Sequence, residues 1–262
     1  MLAFDLGIPN LLIQRAGAMS AKGDKRSIGA HFATSLVALL LIGLLLFGVV
    51  WVSAPTVASL VGVGGLGADG FVPALRIGVA ATGMMLLAHG FVGLARGLQD
   101  TSLVQGASLV GTIVGFALTT WLLFGGLGLV AIAYGLLARS CFSLLGGLAF
   151  VVLCADREAV RSLRPTRDAV ADIGKHCPPM FAAGIGYALM NNSMVTIAAV
   201  AFRPETAVVL GVTRKAADLV RMVLDMVGHS SYGGFAHLFS QGEREYTRSV
   251  YRELQATYFL VA

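Results

Sequence analysis

Long uncharged runs dominate the pattern of hydrophobic and polar positions. No Lys, Arg, Asp or Glu occurs from Ser27 to Ala68, and further empty windows run from Ile77 to Ala95, Thr101 to Ala138 and His176 to Phe202. Each is long enough to cross the hydrocarbon core of a bilayer, which takes roughly 20 helical residues. A membrane barrel would instead show alternating strands of about ten residues. Six helical spans are therefore expected, at residues 29 to 53, 74 to 97, 102 to 124, 127 to 153, 177 to 201 and 205 to 237. The expected breaks are Ala54-Pro55 with a Gly-rich loop, Arg96 to Asp100, Phe124 to Gly128, a long basic linker, and Phe202 to Glu205.

The sixth span is the least apolar. Within it Arg214, Asp218, Arg221, Asp225 and His229 follow at spacings of four, three, four and four, which keeps them on one helical face. Each ionised side chain near the bilayer centre costs roughly 2.5 to 3.5 kcal/mol. Four of them facing lipid would cost on the order of 10 kcal/mol, so the stripe must face protein or water. Arg214 with Asp218 and Arg221 with Asp225 are i,i+4 pairs able to neutralise one another. One reading is a static ion ladder against a neighbouring helix; the other is the lining of a hydrated cavity, where a phosphate takes over a basic partner.

Charge then orients the chain. Thirteen Lys and Arg residues fall on one set of alternate connections and one, Arg203, on the other. Cytoplasmic loops hold the excess of Lys and Arg, so the rich set is expected in the cytoplasm. It includes the linker at 155–175, whose Arg157, Arg161 and Arg164 share a helical face. That segment is either an interfacial helix attracted to anionic lipid or a solvated connector, and in both cases a domain boundary.

Composition agrees: 56% of residues are hydrophobic and 13% are charged, with a mean hydropathy of +0.80, against about 25% charged in soluble domains. The 33 glycines suit closely packed transmembrane helices. Cys141, Cys154 and Cys177 lack CxxC spacing or a His partner pattern and read as small apolar fillers. MLAFDLGIPN has no basic n-region and reads as the tail of a span, while QATYFLVA reads as the start of one, so a piece of a longer protein is expected. Clustered acids, HExxH and paired histidines at ligand spacing are missing from the sequence, so an enzyme is not expected, nor a metal, a cofactor or a nucleic-acid partner.

Two segments repeat a pattern: small or polar residues, Gly, an acid, a base, then an apolar helix. They begin at Ala18 and His237, with Gly23 and Gly242 as equivalent positions. Six spans lie between them, so the repeats would be parallel. DLGIPNLLIQRAG, AKGDKRSI, GLARGLQDTSLVQ, LMNNSMVTIAAVAF, RPETAVVLGVTRKAADLV and FAHLFSQGERE occur in that order. In this order they resemble the polysaccharide-unit flippases of the multidrug, oligosaccharidyl-lipid and polysaccharide exporter superfamily. The resemblance implies an all-α polytopic membrane protein, part of a fold of twelve to fourteen helices in two lobes. Residues 1–154 would be the end of helix two and helices three to six of the N-terminal lobe. Residues 155–175 would be the cytoplasmic linker, and 176–262 the start of the C-terminal lobe. Family members often carry an Asp after the paired asparagines, where this sequence has Ser193, Met194, Val195 and Thr196. That departure weighs against coupling through an acid on that helix.

The resemblance implies flipping of a polyprenyl-diphosphate-linked oligosaccharide across the bacterial inner membrane for polysaccharide export. The partners would be membrane lipids and polysaccharide polymerase machinery; the alternatives are a peptidoglycan-precursor flippase and a multidrug or cation antiporter. Arg139 sits mid-span with no acid of its own within a turn, a functional candidate by default. Its structural alternative is hydrogen bonding to carbonyls, Tyr134 or Ser143. Arg139, Arg214 and Arg221 would hold the diphosphate, because guanidinium binds phosphate with two hydrogen bonds at once. Asn191 and Asn192 serve either as sugar ligands or as interhelical hydrogen-bond groups. His89 is a titratable candidate or a helix-to-helix hydrogen bond; Asp218, Asp225 and Lys215 are the candidates for ion pairing or coupling. Arg76, near the outer end of its span, reads as snorkelling.

Overall fold

The computed structural model describes residues 5–60, 68–154, 163–201, 210, 213, 234, 238 and 244–261. Among these residues the chain is helical, with no strand. In chain order the helices are α1 (Ile8–Ala21), α2 (Lys25–Leu60), α3 (Ala68–Gly97), α4 (Ser102–Phe124), α5 (Leu129–Leu153), α6 (Arg167–Ala201) and α7 (Arg244–Val261).

Local chemistry sets the helix ends. Gly7, at φ 72°, turns the chain into α1, and its amide donates to Asp5 Oδ1 at 2.9 Å. Only glycine adopts that backbone without strain, and a Cβ there would lie 2.6 Å from Met180 Cβ in α6. The Asp24 carboxylate accepts from both the amide and the hydroxyl of Ser27, at 3.1 and 2.6 Å, and so satisfies the first turn of α2. A turn through Gly126 (φ 81°) and Gly128 (φ 54°) folds α4 back on α5.

Among the described residues four helices, α2 to α5, are long and apolar enough to cross a membrane. The predicted 102–124 span coincides with α4, and α5 begins two residues later than expected. Three predicted ends are corrected, the first being α3, which begins at Ala68, six residues before the expected 74. Helix α2 does not stop at Ala54-Pro55 but continues through Pro55 to Leu60; proline removes one hydrogen bond, a loss that packed membrane helices absorb. Helix α6 begins at Arg167, inside the expected linker, and carries Pro178 and Pro179 within it. Arg164 precedes it in non-helical chain, while Arg157 and Arg161 lie outside the described residues.

The core lies between α1 and the helices around it. Leu12, Phe32, Phe91, Leu94, Val104 and Phe150, drawn from α1 to α5, form one buried cluster. Phe32 and Phe91 meet edge to face at 5.4 Å. Ile8, Leu11, Leu39 and Cys177 form a second cluster that brings in α6. Cys177 is the apolar filler expected of it; Cys154, at the C-terminal end of α5, is exposed instead. Outward, Leu41, Leu45, Val52, Phe116 and Val152 present large apolar side chains, a surface that requires lipid around it.

Candidate functional site

Helices α4 and α5 pack through glycine. A Cβ on Gly115 would lie 2.6 Å from the Gly135 carbonyl oxygen and 3.3 Å from Arg139 Cβ; one on Gly111 would lie 3.0 Å from the Arg139 carbonyl oxygen. The small residues let the backbones approach closely enough to bury the stem of an arginine. Arg139 Nε is buried without a hydrogen-bond partner, and so is Ser143 Oγ one turn on. The expected alternative for Arg139, hydrogen bonding to carbonyls, Tyr134 or Ser143, is not met at Nε, and Ser143 Oγ is itself unpartnered. A buried guanidinium N–H without an acceptor is expensive, and a site that takes an anion supplies the missing acceptor.

Arg96 and Arg139 both lie within electrostatic reach of His89 in α3, which makes no hydrogen bond within the described residues. The helix-to-helix hydrogen bond considered for His89 is therefore not seen among them. Arg96 escaped attention in the sequence, where it looks like a loop charge; it sits in the last turn of α3 and is half-buried.

A second cluster ties α1 and α2 to α6. Arg15 donates to Asp172 through Nε at 2.7 Å and Nη2 at 2.5 Å. His31 Nε2 lies 3.6 Å and His176 Nδ1 3.2 Å from the same carboxylate. Burial pushes Asp172 upward, but the hydrogen bonds and charge of Arg15, with the two histidines, outweigh it and hold the carboxyl below its ordinary value. This cluster was missed because its members are 157 residues apart in sequence and no local motif joins Arg15 to Asp172.

At the other end of the bundle Arg76 stacks over Trp51, its guanidinium carbon 4.4 Å from the ring centroid. Arg76 Nε is buried without a hydrogen-bond partner. Both residues line a cavity of about 440 Å³ where α2, α3 and α5 meet. Arg214, Lys215, Asp218, Arg221 and Asp225 lie outside the described residues, so the charged stripe has no structural account here. Asn191 and Asn192 belong to α6, with their side chains likewise outside the described residues.

Solved structures share the fold. A MOP superfamily transporter from Pyrococcus furiosus, described as having a binding pocket of reverse polarity, matches at a TM-score of 0.71 and 17% identity, covering 99% of this chain and 57% of its own. The outward-facing form of a multidrug resistance MATE family transporter matches at 0.72 and 16%, covering 99% and 57%. A MATE protein in complex with MaD3S matches at 0.69 and 18%, covering 99% and 58%. The chain thus spans less than two thirds of the length of these structures. The fold is part of the two-lobe helical fold of that superfamily, and the protein is a multi-pass membrane protein. No match was found among curated protein sequences. The model of the polysaccharide biosynthesis protein family matches residues 1–261, and the chain belongs to that family.

Proposed function

We propose that the protein flips a polyprenyl-diphosphate-linked oligosaccharide from the cytoplasmic to the periplasmic leaflet of the bacterial inner membrane, in the service of polysaccharide export. The observation that carries this reading is Arg139, whose backbone and Cβ pack against Gly111 and Gly115 of α4, whose Nε is buried and unpartnered, and which lies within electrostatic reach of His89. A buried guanidinium N–H without an acceptor favours a diphosphate over a cationic drug. Family membership supports the sugar-linked cargo. Arg214 and Arg221 would complete the phosphate contacts, with Asp218 and Asp225 neutralising them between cycles and Lys215 adding charge. Asn191 and Asn192 would contact sugar. The lobes would divide at residues 155–175 and rock about the bound lipid, and polymerase machinery would receive the product.

The test is a proteoliposome assay following leaflet accessibility of a fluorescent diphosphate-linked oligosaccharide lipid. Losing a hydrogen bond to a charged group costs about 1.5 to 3 kcal/mol, so Arg139→Ala is predicted to slow flipping by roughly ten- to a hundred-fold while the protein remains folded. Arg221→Ala tests the stripe in the same assay. Unchanged flipping by a folded Arg139→Ala protein would sink the reading. Uptake of a cationic dye in place of the lipid would move the protein to the drug-exporter branch.

A further inference from the structure

Arg76 is held in an unusual setting. Helix α3 begins at Ala68, at the end of the bundle whose connections are poor in basic residues, and runs toward Arg96. Arg76 is eight residues in, roughly 12 Å along the axis. Aromatic rings at that depth belong to the interfacial belt, and Trp51, 45% exposed, stands there. The ring attracts the guanidinium but accepts none of its five N–H groups in the way an oxygen does. Among the described residues no hydrogen-bond acceptor or carboxylate meets Arg76, and Nε is already shut off from water.

The surroundings define what is missing. Below Arg76 the cavity wall is Phe47, Ile77, Ala80 and Leu137, with Pro73 on the opposite side. The wall is apolar throughout and holds a single positive charge. We infer that this cavity is a binding site for an anionic glycerophospholipid, its phosphate on Arg76 and its first methylenes against Phe47, Ile77 and Leu137. A phosphodiester offers two oxygens to the planar guanidinium and cancels one charge with one. Its chains continue into the bilayer from a wall already apolar. A lipid whose headgroup adds an ammonium fits worse, because no acid lines the cavity to receive it. Trp51 covers one face of the guanidinium and leaves the N–H edge to the phosphate. Arg139 does not line this cavity.

The test uses the full-length protein in nanodiscs containing phosphatidylglycerol and phosphatidylethanolamine, followed by native mass spectrometry. Wild type is expected to retain phosphatidylglycerol in preference to phosphatidylethanolamine, and Arg76→Gln to lose that retention by roughly tenfold, the loss of one charged hydrogen-bond group. Equal retention by Arg76→Gln, or no preference in wild type, would overturn the site. If Arg76→Gln does not fold, wild-type thermal stability decides: Tm rising with phosphatidylglycerol content against phosphatidylcholine supports the site, and an unchanged Tm overturns it.

Discussion

At the scale of single residues, Asp172 separates two kinds of arginine in this protein. Arg15 has a carboxylate with two hydrogen bonds, whereas Arg76 and Arg139 each keep a buried N–H unanswered. The first kind holds structure together. We predict that Arg15→Ala costs about 1 to 2 kcal/mol of stability, between an exposed pair and a buried charged hydrogen bond, read as a lower Tm in detergent. The pH dependence has a definite sign. The Asp172 carboxyl is held below its ordinary 3.8, so its stabilisation is present above that value and is lost as the pH falls through the lowered one. The difference between wild type and Asp172→Asn should therefore persist down to about pH 5 and shrink below about pH 4. A difference that vanished already at pH 5 would contradict the assignment. Arg139 was legible in the sequence as a lone base in an apolar run. The partners of Asp172 were not, because they meet only when α6 lies against α1 and α2.

At the scale of elements, glycine decides how closely helices pack. The apolar windows foretold α4 to within a residue, since flanking turns at Asp100 and Gly125 bound it. Helix ends that rest on proline were misread, because the rule that proline stops a helix belongs to water-exposed chain. The pairing of Gly115 with Gly135 was not legible either: composition announces small residues but not which ones touch. Gly115→Ala should destabilise by about 1 to 3 kcal/mol, because the new Cβ strikes backbone that cannot rotate away. Gly48→Ala in α2 is the control, with nothing within 4 Å of the added carbon; it should be neutral or slightly stabilising. Thermal unfolding followed by tryptophan fluorescence compares the two, and equal effects would remove the packing argument.

At the scale of the whole molecule, the loop charges predict an orientation that labelling can check. Cys154 is exposed at the far end of α5, and Leu127 is exposed in the turn at the opposite end of the same helix. In intact cells a membrane-impermeant maleimide should label Leu127→Cys and leave Cys154 unlabelled until the membrane is opened. The reverse pattern would invert the chain. Fold class was within reach of the sequence because lipid imposes one demand, a long uncharged helix, that is written directly in composition; the family was within reach only through the ordered motifs from DLGIPNLLIQRAG to FAHLFSQGERE. The candidate site was only half within reach, because an unanswered N–H is a property of neighbours.

The length of α2 carries one more consequence. Its 36 residues extend about 54 Å, well beyond a hydrocarbon layer of about 30 Å. Its apolar part, Ile28 to Val52, alone measures roughly 37 Å, so it must lean or thicken the membrane around it. The protein is thereby matched to bilayer thickness. A membrane that thins presses first on this helix, and through Trp51 on the arginine that it flanks.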